Sequence, residues 1–323
     1  MMSRKPDSKI STSINTGFGT NASFYGGRFV NKKGNPNIEK RGVGILDRIS
    51  WYHSLLALSR LQFFSMILIF FILINIFFAA IYYLIGIENL GGVSNSSPLV
   101  NFAEAFFFSC QTFTTVGYGH ISPVGLLTSF IAALEALLGL LSFALATGLL
   151  FGRFARPKAY IKFSHNAIIA PYKNITALMI RLAPFKNTTL IDAESKITLG
   201  LGIEENGVFK NNFYQLQLEF PAVNTLTLSW TIVHPITEDS PLYNFTAEDY
   251  KNMKGEVLVF VKAFDDMFAN TVVARTSYTF HEIVYGAKFV PMYHRSSQND
   301  KTVIYLDKLN SFTREDLVQK IIL

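Results

Sequence analysis

The chain has 323 residues, half of them hydrophobic and 30 of them Phe, which is long enough for two structural units and richer in Phe than an ordinary soluble protein. Its single cysteine, Cys110, excludes an intramolecular disulfide framework and, lying in an apolar run, reads as a small buried hydrophobe. The net charge of +6 comes from Lys and Arg that flank the apolar segments, a signal of topology and lipid headgroups and not a nucleic-acid footprint.

Residues 1–46 form a basic arm containing Ser, Asn and Gly, in which no charged n-region opens onto an apolar h-region, so no cleavable leader is expected. Residues 47–60 read as an amphipathic helix at the membrane face, with Ile49, Leu55, Leu56 and Leu58 beside Trp51 and Tyr52; the alternative is an extension of the span that follows. The first span is placed at 61–87, where Phe63 to Ile85 is apolar apart from Ser65 and Asn75, enough at 1.5 Å per residue to cross about 30 Å of hydrocarbon. After a polar loop, Gly91 to Ser97, comes an apolar stretch too short to span, read as a re-entrant helix at 102–114. A second span, 124–154, carries Glu135 within it. No Lys or Arg lies between Leu61 and Gly152, whereas Arg28, Lys32, Lys33, Lys40, Arg41, Arg48 and Arg60 precede that block and Arg153, Arg156, Lys158 and Lys162 follow it. Both termini are therefore expected on the cytoplasmic side.

Between the short helix and the second span stands Thr114-Thr115-Val116-Gly117-Tyr118-Gly119. Irregular backbone at membrane depth survives only where protein buries it or it lines a water-filled path. Gly117 and Gly119 tolerate positive φ, so neighbouring carbonyls can point toward one axis. Four copies would stack rings of oxygens from Thr115, Val116, Gly117 and Tyr118, with the Thr115 hydroxyl below, in place of a cation's water shell. One chain supplies a quarter of each ring, so the motif demands a closed homotetramer. Residues 157–323 hold short alternating runs such as Leu226 to Val233 and Glu256 to Val261, bounded by turn residues, and read as a β-sandwich domain.

Thr-Val-Gly-Tyr-Gly, set between a re-entrant helix and a span, resembles the potassium-channel signature. The wider chain, from about Arg28 to Arg295, is similar to the inward-rectifier potassium channel family, and most of all to its prokaryotic (KirBac) branch. The stretches that carry the likeness are Arg28-Phe-Val-Asn-Lys-Lys-Gly, Ala155-Arg-Pro-Lys, Phe163-Ser-His-Asn-Ala-Ile-Ile-Ala, Leu178-Met-Ile-Arg-Leu-Ala, Asp239-Ser-Pro-Leu-Tyr and Ala274-Arg-Thr-Ser-Tyr. The resemblance implies a membrane α plus cytoplasmic β fold: two transmembrane helices with a pore helix and filter, followed by an immunoglobulin-like β-sandwich, assembled as a homotetramer in the bacterial inner membrane. K⁺ at residues 115–118, with Gly119 completing the filter, is the expected permeant ion.

The resemblance further implies that residues 47–60 are a slide helix, that Phe151 is a hydrophobic gate at the inner helix crossing, and that Arg153, Arg156 and Lys158 contact anionic lipid headgroups. Strong rectifiers of the family carry an acid in the second span; Phe143 stands there in this chain. Asp192 keeps an acid in the cytoplasmic vestibule, while Lys262 replaces a second one, so weak rectification is expected. Relatives pair a pore-helix Glu with a charge near the filter, where this chain has Gln111 and His120. Gly139 and Gly148 mark either a bend or close packing in the second span. Glu135, an intramembrane acid and so a functional candidate by default, is either protonated or hydrogen-bonded behind the pore helix in a structural role. No Walker motif, zinc spacing, GxSxG or catalytic acid pair is present, and no span bears regularly spaced Arg, so neither an enzyme, a cofactor nor a voltage sensor is expected. The competing readings are a channel of relaxed selectivity and a membrane-anchored sandwich receptor with a vestigial loop.

Overall fold

The computed structural model describes residues 28–42, 44, 50–94, 96–205, 208–296 and 300–317, which fall into two compact units: residues 41–156, and a unit joining the arm up to Lys40 to everything from Pro157 onward. Residues 47–49 of the expected slide helix, 1–27 of the arm and the terminal 318–323 lie outside the described residues.

The first unit is helical: α1 (Trp51–Ala57), α2 (Arg60–Ile85), α3 (Pro98–Phe113) and α4 (Leu126–Phe154). α1 stops short of α2 because Ser59 starts a new helix. Its Oγ accepts from the Gln62 N–H while Gln62 Oε1 accepts from the Ser59 N–H, so two end donors are satisfied reciprocally. The segment before Ser59 is thus a separate helix and not an extension of the span. α2 and α4 are each long and apolar enough to cross a membrane. α3 opens earlier than the apolar run suggests, at Pro98, because Ser97 accepts from the Val100 N–H and Pro98 is pre-set for a first turn.

Packing within this unit follows helical spacing. α3 buries Ala105, Phe108, Ser109 and Phe113 against a stripe of Asn75, Phe78, Ala79 and Tyr82 on α2 and a stripe of Thr128, Ala132, Glu135 and Gly139 on α4. A Cβ at Gly139 would lie 1.9 Å from the Phe113 carbonyl oxygen. Close approach of α4 to the end of α3 therefore explains this glycine.

The second unit is a sandwich of two five-stranded sheets. Its main strands are β1 (Ile161–Phe163), β2 (Ala167–Tyr172), β3 (Ile175–Pro184), β4 (Leu190–Glu205), β5 (Val208–Leu216), β6 (Ala222–Leu226), β7 (Trp230–Ile236), β8 (Gly255–Asp265), β9 (Asn270–Thr279) and β10 (Ile283–Tyr285). One sheet runs β9-β8-β4-β5 with β6 on the early part of β4; the other runs β10-β2-β3-β1 with β7 on the far edge of β3. Among the described strands, only β10 pairs in parallel, with β2. Period-two burial drives the layering: in β7, Trp230, Ile232, His234 and Ile236 face inward. The apolar members of that face join residues of the opposite sheet, among them Ile197, Leu199, Val257, Val259 and Val261, in one continuous core.

Two polar devices tie loose segments to this core. Arg181 of β3, 3% exposed, donates to the carbonyls of Val290, Lys308, Leu309 and Ser311 and stacks 4.4 Å from the Phe289 ring, so it gathers the segment after β10 onto the sheet. Burial brings its pKa down to about 10. The arm is held by Glu256 of β8, whose carboxylate accepts from the N–H groups of Phe29 (2.5 Å) and Val30 (3.1 Å), and by Glu282, which pairs with Arg28 at 2.5 Å.

Candidate functional site

The C-terminal end of α3 builds the loop that follows it. Thr114 N–H and Oγ1 bond the Cys110 carbonyl, Thr115 N–H the Thr112 carbonyl at 3.0 Å, and the N–H groups of Val116 (2.9 Å) and Gly117 (3.4 Å) both bond the Gln111 carbonyl. Helix carbonyls that have no partner further along are thereby used to turn the chain sharply out of the helix. The Gln111 main chain, and not a charge on its side chain, is what grips the base of the loop.

From Thr115 onward φ alternates in sign. Thr115 has φ of 60°, Gly117 55° and Gly119 80°, while Val116 and Tyr118 are outside the positive region. Such alternation turns successive peptide planes so that their carbonyls leave the chain on one side. Nothing lies within 4 Å of a Cβ built at Gly117 or Gly119, so it is conformation and not crowding that calls for glycine there. The positive φ of Thr115 was not readable from residue type, since glycine alone advertises that region. The far end of the loop is anchored by a two-residue strand pair, Leu90–Gly91 against Ser122–Pro123, and by Val124 N–H on the Asn89 carbonyl at 2.8 Å. Gly92, at φ of 90°, lets the His120 carbonyl approach to a point 2.0 Å from where a Cβ would stand.

Below Thr115, α4 presents Phe143 (73% exposed), Thr147 and Phe151 (74% exposed) at i, i+4 and i+8, a single stripe free of intrachain cover. Thr147, which sequence reading passed over, lies between the two Phe. Gly148 meets nothing within 4 Å, unlike Gly139. A cavity of about 590 Å³ runs from Phe113, Thr114 and Thr115 along Ser142, Phe143, Ala146 and Leu149 to Met66 and Phe70 of α2.

Arg153 is engaged within its own unit: its guanidinium donates to the Leu58 carbonyl at 2.6 Å and stacks on Phe63 at 5.0 Å. Beside it, Gly152 receives the Tyr52 hydroxyl, 2.9 Å from where a Cβ would be. α1 is thus latched to the end of α4, next to Phe151. Arg156 and Lys158 are exposed. In the β unit, Asp192 is exposed at φ of 48°, where the β4–β8 register slips between Lys262 and Phe264. Lys262 is the register partner of Glu194, and both are exposed, an acid that sequence reading did not single out.

Behind α3 lies a buried polar cluster drawn from three helices. Glu135 of α4, 0% exposed, accepts from the Tyr82 hydroxyl of α2 at 2.6 Å and contacts the Ser109 hydroxyl of α3 through its other oxygen. Ser109 Oγ also lies 2.9 Å from Asn75 Oδ1, and Asn75 Nδ2 donates to the Phe71 carbonyl at 2.7 Å. The structure thus places Glu135 in a hydrogen-bonded cluster behind the pore helix.

Residues 63–156 match a family model described as ion channel, and residues 161–320 match one described as inward rectifier potassium channel C-terminal domain. The inward rectifier potassium channel Kirbac3.1 of Paramagnetospirillum magnetotacticum is 35% identical over 271 residues, covering 82% of this chain and 89% of that protein. The chain belongs to the inward rectifier potassium channel family. More distant relatives are the ATP-sensitive inward rectifier potassium channel 12 of Gallus gallus (28% identical; 82% of this chain and 67% of that protein) and the inward rectifier potassium channel irk-1 of Caenorhabditis elegans (28%; 68% and 44%). As a member of this family it is a membrane channel protein and not an enzyme.

Proposed function

We propose that four copies of this chain form a passive, K⁺-selective pore of the inward-rectifier type in a bacterial inner membrane, with both termini cytoplasmic. The observation that carries the reading is the sign alternation of φ at Thr115, Gly117 and Gly119, directly after a re-entrant helix, because it aims one carbonyl after another along a single line. K⁺ occupies rings made by Thr115, Val116, Gly117 and Tyr118; no further cofactor is needed. The Phe143–Thr147–Phe151 stripe lines the path below the filter, and the Phe151 rings form a gate that closes by dewetting. α1 moves with the end of α4 through the Arg153 and Gly152 contacts, so anionic lipid acting on Arg153, Arg156 and Lys158, which follow Phe151 in the chain, biases the gate. Asp192 forms a shallow cation site whose depth is reduced by Lys262, which yields weak rectification.

Barium-sensitive rubidium uptake into proteoliposomes tests the core of this reading. Uptake is expected in a K⁺-loaded vesicle, with K⁺ competing far better than Na⁺, and Gly117→Ala is expected to abolish it. Equal competition by Na⁺, or full uptake by the Gly117→Ala protein, would overturn it.

A further inference from the structure

The proton inventory of the cluster behind the pore helix does not close if Glu135 is a carboxylate. Asn75 Nδ2 donates to the Phe71 carbonyl, which fixes the amide so that its oxygen faces Ser109. Ser109 Oγ therefore lies between two acceptor atoms, Asn75 Oδ1 and Glu135 Oε1, and has one proton to give. Tyr82 gives its own proton to Glu135 Oε2. One contact would be left as two oxygens with no hydrogen between them. No Lys or Arg exists between Leu61 and Gly152 to offset a charge at the site, and an ionised, unpaired carboxylate without solvent is among the costliest groups to bury. A single added proton satisfies every contact: Glu135 donates to Ser109, Ser109 donates to Asn75, and Tyr82 donates to Glu135.

Position adds the second half of the argument. Ser109 immediately precedes Cys110 and Gln111, whose carbonyls hold Thr114, Val116 and Gly117. One turn further along both helices, Gly139 packs onto the Phe113 carbonyl. α4 thus grips α3 at two rungs, Glu135 with Ser109 and Gly139 with Phe113, on either side of the residues that set the filter base. We infer that Glu135 is a positioning residue for the filter, held as a neutral carboxylic acid that braces the pore helix from the second span through Ser109. This inference rests on residues 115–119 being the ion path.

Glu135→Gln keeps one donor and one acceptor in the same shape, whereas Glu135→Leu and Ser109→Ala break the chain of bonds. Purified tetramers of each, checked by size-exclusion chromatography, are assayed for rubidium uptake under K⁺ and Na⁺ competition. Glu135→Gln is expected to match the parent, and the other two to lose about tenfold in K⁺-over-Na⁺ preference, the loss anticipated for one unsatisfied buried partner. The infrared band of a protonated carboxyl group is expected in the parent protein and absent from Glu135→Gln, a readout that holds even where a variant fails to assemble. If the parent conducts but lacks that band, or Glu135→Gln loses selectivity as Glu135→Leu does, or all variants keep the parent's selectivity, the inference is overturned. If the parent itself takes up no rubidium, it is the ion-path reading that fails.

Discussion

His234 illustrates how one side chain commits a region to a charge state. Its Nδ1 faces the Gln217 carbonyl at 2.6 Å and its Nε2 the Ser240 hydroxyl at 2.7 Å, while Ser240 Oγ accepts from the Leu242 N–H at 3.1 Å. The Ser240 proton is therefore directed at Nε2, which suits a neutral ring with its hydrogen on Nδ1. Burial lowers the pKa from 6.5 to about 4. Because the folded value is depressed, the unfolded chain takes up the proton first. The ring's contribution is complete above pH 6.5 and is lost as pH falls toward 4, by up to about 3 kcal/mol over the full interval. Melting of the protein should drop between about pH 7 and pH 5, and a His234→Asn substitution should flatten that dependence. An unchanged slope in the variant would show that other groups are responsible. The Asp239-Ser-Pro-Leu-Tyr stretch was legible as a family marker, but its tie to His234 through Ser240 was not, because it depends on the turn after β7 folding Ser240 back onto that strand's inward face.

Among the elements, α4 has the most varied role. Its early half carries Glu135 and Gly139 against α3, and its late half carries Phe143, Thr147 and Phe151 on an uncovered stripe, before Gly152 and Arg153 meet α1. On the proposed reading, Phe151→Ala widens the constriction and should raise basal rubidium flux several-fold; flux equal to that of the parent would count against a gate at this residue. The Arg181 cage on β3 gives a second element-scale expectation. Arg181→Met keeps the aliphatic stem but removes the donor shared by four carbonyls, of which those of Lys308 and Ser311 keep backbone partners (Ser311 N–H and Val290 N–H), so the segment after β10 should become protease-sensitive and the melting temperature should fall by several degrees, consistent with about 1–3 kcal/mol per unsatisfied buried group. Spans and filter were readable because each is written in a contiguous run of residues. The Arg181 cage, the Tyr82–Ser109–Asn75 partners of Glu135 and the pairing of Glu194 with Lys262 were not, because each joins residues from separate elements whose meeting depends on register. Thr115 escaped for a different reason: its φ is imposed by the bonds at the end of α3 and not by its own side chain.

For the whole molecule, on the proposed reading, charge along the cytoplasmic part of the path sets the response to internal polycations. Asp192 and Glu194 are exposed on β4, with Lys262 across from Glu194. Spermine should therefore block outward current weakly and with a shallow voltage dependence, and Lys262→Glu should steepen that block; steep block in the unaltered protein would contradict the proposed weak rectification. The chain also passes twice between its two units, at Lys40 to Arg41 and again at Arg156 to Pro157, with the arm bound to Glu256 and Glu282 of the β unit. Two covalent crossings per subunit therefore join the two units. A nick in the first crossing leaves the second intact as a covalent connection, and a nick in the second leaves the sandwich clasped by the arm of the severed half. In a tetramer, eight such crossings must be cut to separate all helical units from their sandwiches covalently.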